Sequence, residues 1–535
     1  MKSTPPSTTA ATTCRSANPS RRKRQQKAPP AAADAEPPPH GEAPAQSPPR
    51  SGPRLHALAA SALLLVYLAV MSGHIASMDG LLIYRQAHAL VVDHSIRFQS
   101  PARFWTGEAI WNSKYGVGLS LFYVPGLLLT SPLASLVPIS AEVPAKKGIF
   151  YYQQLYADPL YTAGASWVHA VIAAWTAYLV ARLASALGCS RRASLWAMAF
   201  YGIGSSALVY SRGDFAQPLT GLCWTAALLA AVRVRSGGET AAIWACAAAA
   251  GYAIVTRPFE GMMLLPVVLV LVVPERFVHW NLRTLRPAFT VAAGALVAVG
   301  ITLLINWARS GDAFVSGYKL DNAWRLPEPA QIAALLFGPA RGILWEFPAL
   351  VLVPIGAVAL TRRGNSREAR MLLLLCGALM LNTALWKTWW GGWCWGLRLF
   401  LPAVPLLAVV AGAGTDRLRS STRRWLPGVL LAAGFVWSLP GVTTDLLGGF
   451  AKLTDASPMS WSLASFPPYG AWRFLKQAFP DDPFDTDVVD ILWFRLAPAT
   501  GYWSLLVPIV LLAAAAFLAV RCARELRDEE RTARH

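Results

Sequence analysis

Charged side chains are scarce in this chain. Asp, Glu, Lys and Arg make up 14% of its 535 residues, against about 25% in globular domains, which excludes an ordinary soluble enzyme. Acids are the scarcer sign, with 29 Asp and Glu against 48 Lys and Arg and a formal net charge of +19. Cysteine is sparse too. The seven copies (Cys14, Cys189, Cys223, Cys246, Cys376, Cys394, Cys522) are odd in number, lie mostly inside apolar runs and form no C-x-x-C pair, so neither a disulfide scaffold nor a zinc site is expected. The chain also lacks a Walker loop, a G-x-G-x-x-G after a strand, an H-E-x-x-H and a nucleophile elbow with its partners in order. Nucleotide-driven and zinc-protease chemistry fall away with them.

What the chain has is apolar surface: 55% hydrophobic residues and 22 tryptophans. The apolar residues come in repeated blocks close to the roughly 20 residues that cross a bilayer core, so the chain reads as a polytopic, all-α membrane protein. In such chains Arg and Lys gather in cytoplasmic loops. The high charge therefore does not point to nucleic acid, and no RNA- or DNA-binding motif accompanies it.

Residues 1–54 form a Pro-, Ala- and Ser-rich tail with the basic cluster Arg21-Arg22-Lys23-Arg24. That composition cannot bury enough apolar surface to fold, and the tail reads as disordered and cytoplasmic, its cluster a positive-inside anchor. The first span is expected near 55–76. Further spans are expected near 161–187, 195–210, 217–232, 240–256, 259–274, 287–306, 343–361, 370–386, 397–413, 425–440 and 504–520, about twelve in all. The apolar segment near 117–137 contains Pro125 and Pro132 and is read as re-entrant or interfacial. Only then do the basic loops at Arg191-Arg192, Arg233-Val234-Arg235, Arg276 to Arg286, Arg362 to Arg370 and Asp416 to Arg424 all fall inside, with both termini cytoplasmic. The organisation is thus a tail (1–54), a transmembrane core (55–440), an outer loop region (441–503), and a last span with a cytoplasmic tail (504–535). Gly80 to Val92 is too short to span, and its helical spacing of apolar residues predicts an amphipathic helix on the outer interface.

Ionisable groups at a membrane edge are expensive and so are candidates for function. Asp79 directly follows the first span and opens the short helix. It is either an accessible general base or a helix cap, and spacing alone leaves the two even. Asp214, in the short outer loop Tyr210 to Pro218, is either a second site acid or a turn residue. The cations Arg85, Lys114, Arg212, Arg257, Arg341 and Arg398 fall on the same outer side and break the positive-inside trend. An anionic lipid-linked phosphate would account for them, because guanidinium and ammonium groups make charge-assisted bonds to phosphate oxygens; the competing explanation is lipid head groups or local ion pairs. The run Trp386 to Arg398 is the densest aromatic stretch. It reads as an interface belt or as rings that contact sugar or lipid.

The chain resembles the GT-C class of membrane glycosyltransferases, in particular the group of protein O-mannosyltransferases and lipid A aminoarabinose transferases (glycosyltransferase family 39-like). The resemblance rests on Ser77-Met78-Asp79-Gly80-Leu81-Leu82-Ile83-Tyr84-Arg85, Lys114-Tyr115-Gly116-Val117-Gly118, Arg212 with Asp214, Thr256-Arg257-Pro258, and Arg398-Leu399-Phe400-Leu401-Pro402. Gly80 stands where many relatives have a second acid, and Tyr115-Gly116 where many have two prolines, so no metal is carried over. The resemblance implies an inverting transferase of the plasma (inner) membrane with its active site on the outer face. It would move a hexose or pentose from a polyprenyl-phosphate carrier to an envelope glycan, lipid or protein, and no cofactor is expected. Asp79 and Asp214 would be catalytic; Arg85, Lys114, Arg257 and Arg398 would bind the donor phosphate; Tyr84, Tyr115, Trp389 and Trp393 are candidate sugar or lipid contacts. The alternatives are a flippase for lipid-linked sugars or another transporter, and a structural subunit of an envelope assembly.

Overall fold

The structure, a computed structural model, describes residues 52–75, 77–98, 113–136, 159–213, 215–275, 281–315, 323–392, 394–418, 423–444, 461, 465–478 and 489–532. The tail through residue 51, Asp214, Trp393 and the acidic cluster Asp481, Asp482, Asp485 and Asp487 lie outside the described residues. Every regular element among the described residues is helical. In chain order they are α1 (Gly52–Ala69), α2 (Met78–Val91), α3 (Gly118–Leu136), α4 (Pro159–Ala186), α5 (Arg191–Gly202), α6 (Ala207–Tyr210), α7 (Gln217–Arg235), α8 (Thr240–Thr256), α9 (Pro258–Val272) and α10 (Leu282–Ser310). There follow α11 (Pro329–Phe337), α12 (Ile343–Glu346), α13 (Val353–Arg362), α14 (Ser366–Leu385), α15 (Val404–Thr415), α16 (Leu426–Thr443), α17 (Pro467–Ala478), α18 (Leu492–Arg495) and α19 (Leu506–Thr532).

Among the described residues, seven helical stretches are long and apolar enough to cross a membrane: 52–69, 163–186, 282–310, 366–385, 398–418, 426–443 and 503–532. They coincide with seven of the expected spans. The other five meet helices that are shorter, broken or less apolar, α7 being 19 residues long with Arg233 and Arg235 in its last turn. The segment expected near 343–361 divides into α12, a 3-10 turn over Pro348–Leu352 and α13, because Pro348 and Pro354 interrupt the run and remove backbone donors. Helices pack through small residues, as membrane helices do in the absence of a hydrophobic drive between them. Gly251 of α8 lies on Gly294 of α10, where a Cβ would come 3.2 Å from the Gly294 carbonyl oxygen.

Two ends of the bundle differ in chemistry. One carries the expected cytoplasmic loops, and there Arg235 pairs with Glu368 (2.8 Å) and with Glu275, Arg363 pairs with Asp416 (2.6 Å), and Arg191 with Glu529. The other end gathers the end of α1, the starts of α2, α3 and α9, the ends of α8 and α10, and the start of the 398–418 stretch. All the candidate site residues in the described segments lie at or near this second end.

The residues around Asp490 tie that end together. The Asp490 carboxylate bonds to the His74 ring at 2.6 Å and to the Arg212 guanidinium at 2.7 Å. Arg212 also donates to the Gly441 carbonyl at 2.9 Å, and Arg495 donates to the Ser72 carbonyl at 2.9 Å. The Leu492 N–H donates to Met71 at 2.8 Å and the Trp493 indole to Leu68 at 2.9 Å. Part of the region 441–503 is thus a strap over the loop that joins α1 to α2. Arg212, one of the candidate cations, is engaged in this buried pair.

Burial alone would push the Asp490 carboxyl up, but the charges of His74 and Arg212 overcome it and hold the group well below the usual carboxylate range. Its stabilising contribution is therefore complete above the ordinary aspartate value of about 3.9 and is lost only as pH falls through the lower folded value. Replacing Asp490 with Ala leaves Arg212 buried without its acid. The expected loss is about 3–5 kcal/mol, read as a lower midpoint of unfolding in detergent at neutral pH.

Candidate functional site

The site begins where α1 ends. Ser77, extended at φ −106°, caps α2 by accepting the Gly80 N–H at 2.9 Å. Capping is done by the serine, so the Asp79 carboxylate is released from that role and sits in the first turn, where the helix dipole favours an anion. It meets Arg398 Nη1 at 2.7 Å and is a quarter exposed. The Tyr115 hydroxyl donates to the same carboxylate, and the Lys114 ammonium adds its charge. Burial pushes the Asp79 carboxyl up. Arg398, Lys114 and the Tyr115 bond outweigh that and lower it from the ordinary value, so Asp79 is ionised at neutral pH.

α2 is covered on more than one face. Leu81, Leu82, Ile83, Tyr84, Ala87 and Gln86 are all buried, and the Ser120 hydroxyl of α3 donates to the Ile83 carbonyl at 2.9 Å and to Gln86 at 3.2 Å. The amphipathic reading expected one open face; packing of α3 and α4 over the helix removes it. That enclosure fixes where Asp79 points.

Lys114 and Tyr115 stand in the segment before α3. Arg309, at the last turn of α10, is buried and donates to the backbone carbonyls of Tyr115 at 3.0 Å and Ser113 at 3.3 Å. The same segment lies on Thr256: a Cβ on Gly118 would come 2.7 Å from the Thr256 Cα, and the Tyr252 hydroxyl donates to the Gly118 carbonyl at 2.8 Å. Lys114 is exposed, so its ammonium faces the open side.

Arg398 follows the aromatic run and begins a 3-10 turn, Arg398–Ala403, that leads into α15. Its guanidinium lies 4.2 Å from the Phe215 ring centroid, a cation–π contact. The glycines of the run make the cradle. Gly391, at φ +76°, is so close to the Arg398 stem that a Cβ would come 2.9 Å from its Cγ and 3.2 Å from its Nε.

The structure therefore brings Asp79, Lys114, Tyr115 and Arg398 together. Arg257 stands beside them through the contact of Thr256 with Gly116 and Gly118, and its guanidinium pairs with Glu260 at 2.5 Å. Arg85 is half-buried on α2, six residues beyond Asp79 and about 240° around the helix. Tyr84 is in the core, and Trp389 is buried against Trp390, ring centroids 6.0 Å apart. Asp214 and Trp393 lie outside the described residues; Phe215, next to Asp214, is the ring under Arg398. Among the described residues no group of three His, Cys, Asp or Glu is placed to hold a metal.

Sequence reasoning missed Phe215, Arg309 and Glu346. Arg309 had a signal, an arginine at the end of a span that was expected to face outward, against the positive-inside trend. Glu346 had one as well, as a lone acid inside an apolar run.

No protein-family profile matches the chain, and no curated protein sequence matches it. Two solved structures are similar to it over most of its length. One is the crystal structure of ArnT from Cupriavidus metallidurans in the apo state, at 15% identity and a TM-score of 0.49, covering 86% of this chain and 75% of that one. The other is the same protein bound to undecaprenyl phosphate, at 14% identity and a TM-score of 0.49, covering 87% and 77%.

Substituting Gly391 with Ala tests the cradle. The left-handed backbone and the contact with the Arg398 stem both oppose a side chain there, and the expected cost is about 1–3 kcal/mol in unfolding free energy, measured by denaturant titration in detergent.

Proposed function

We propose that this protein is an integral-membrane glycosyltransferase that moves a sugar from a polyprenyl-phosphate carrier to an acceptor hydroxyl on the outer face of the membrane, with inversion and with Asp79 as general base. What carries the reading is the ion pair of Asp79 and Arg398 at 2.7 Å, set with Lys114 and Tyr115 at one end of a helical bundle. A base and a set of cations at a membrane edge suit a reaction in which a hydroxyl attacks and a lipid phosphate leaves. The leaving group needs positive charge more than it needs an acid.

The chemistry follows from the pair. As the hydroxyl oxygen forms its bond to the anomeric carbon, its proton passes to the Asp79 carboxylate, and the bond from that carbon to the phosphate oxygen breaks with its electron pair on the phosphate. Before the donor arrives, Arg398 lowers the basicity of Asp79. A phosphate that takes over Arg398 and Lys114 relieves Asp79 of that charge, so donor binding makes the carboxylate a stronger base for the acceptor. Asp214 would orient the acceptor or hold an arginine in place. Both termini would be cytoplasmic, a reading that rests on the positive-inside rule applied to the basic loops.

The first test is a reconstituted assay with radiolabelled polyprenyl-phosphate sugars, comparing the wild type with Asp79→Asn. Transfer should fall by about 10²–10⁴-fold while donor binding persists. Donor movement across the vesicle membrane without consumption of label would overturn the reading in favour of a transporter. In the wild type the acid limb of kcat/KM should lie below the ordinary carboxylate range, because protonating Asp79 requires displacing the influence of Arg398. In Arg398→Gln that limb should move up toward about 3.9, with kcat lowered by about 10²–10³-fold.

A further inference from the structure

The turn before Arg398 is buried and irregular, so its backbone carbonyls have no helical partners and each needs one from elsewhere. Side chains supply them. The Arg341 guanidinium donates to the carbonyls of Gly392 at 3.0 Å and Gly396 at 2.7 Å and to that of Cys394. The Tyr210 hydroxyl donates to the Trp395 carbonyl at 2.5 Å. The Glu346 carboxyl accepts the Leu397 N–H and a hydrogen bond from the Ser206 hydroxyl. Gly396, at φ +54°, packs directly on the Glu346 carboxyl group. Arg341, Tyr210 and Glu346 are all buried.

Burying a guanidinium and a carboxyl costs more than burying apolar residues of the same size. Here both are spent on the backbone of one short turn. That turn delivers Arg398, and its neighbour Tyr210 packs edge-on against Phe215 at 5.8 Å, the ring beneath the Arg398 guanidinium. We propose that Arg341 and Glu346 are positioning residues that lock the backbone of Gly392 and of 394–397 so that Arg398 meets Asp79 and the donor phosphate. The part concerning phosphate rests on the function proposed above; the part concerning Asp79 does not.

The experiment reads the Asp79 carboxyl directly, by infrared difference spectroscopy of the purified protein against pH, with Asp79→Asn identifying the band. Arg341→Met and Glu346→Leu should release Arg398 and move the Asp79 titration up toward the ordinary value of about 3.9. Glu346→Gln keeps an oxygen for the Leu397 N–H and should stay near the wild type, as a purely charge-based role would not allow. Affinity for a long-chain polyprenyl phosphate should weaken at least about tenfold in the first two variants, which lose the charge-assisted bond of Arg398 to phosphate. Tyr210→Phe, which removes one hydroxyl, is the milder variant should the others fail to fold, and it should move the titration the same way. Folded variants with an Asp79 titration identical to the wild type would show that these residues only support the fold, and the proposal would be wrong. A titration that responds in a protein that consumes no donor would keep the positioning role and overturn the transferase reading instead.

Discussion

Asp79 and Arg398 come from opposite parts of the chain, and their contact is the constraint around which this end of the protein is built. An ion pair at 2.7 Å tolerates little error in either partner, so each is held by a set of buried groups. On the acid side Ser77 caps the helix and α3 and α4 cover it. On the base side Phe215 supports the guanidinium, Gly391 makes room for its stem, and Arg341, Tyr210 and Glu346 hold the backbone before it. Arg309 does the equivalent work for Lys114 and Tyr115. The polar residues buried at this end mostly bond to backbone, and so serve geometry more than charge balance.

Much of the fold was legible because membrane spans are written in a coarse code. A run of apolar residues of sufficient length is unambiguous, and seven such runs appear where they were expected. The short spans were less legible. α13 follows a 3-10 turn that opens on Pro348 and carries Pro354 in its own first turn, and its length depends on how neighbours re-satisfy the freed backbone groups, which composition does not record. α2 shows the same limit: its spacing is amphipathic, but whether its polar side meets water or a serine and a helix is decided by α3, which follows a separate segment.

The site was legible in its charges and opaque in its supports. Asp79, Lys114 and Arg398 stood out as charges at a membrane edge, where a bland explanation is costly. That Asp79 does not cap its helix became plain only in seeing Ser77 take the Gly80 N–H. Arg341 stood out for its charge, although its contacts are to carbonyls, whose need for donors depends on a turn that no pattern predicts. The glycines of the aromatic run signalled close approach without saying to what.

The strap around Asp490 carries a consequence for biosynthesis. His74 and Asp490 are separated by 416 positions, and the loop they join leads directly into the helix that bears Asp79. During synthesis the segment that clamps this loop emerges after nearly every other helix has been made. Until then the acid's approach to its place is untethered at one end, so a nascent or truncated chain holds the bundle without the finished site. The setting of Asp79 is thereby completed only when the C-terminal part of the chain is in place.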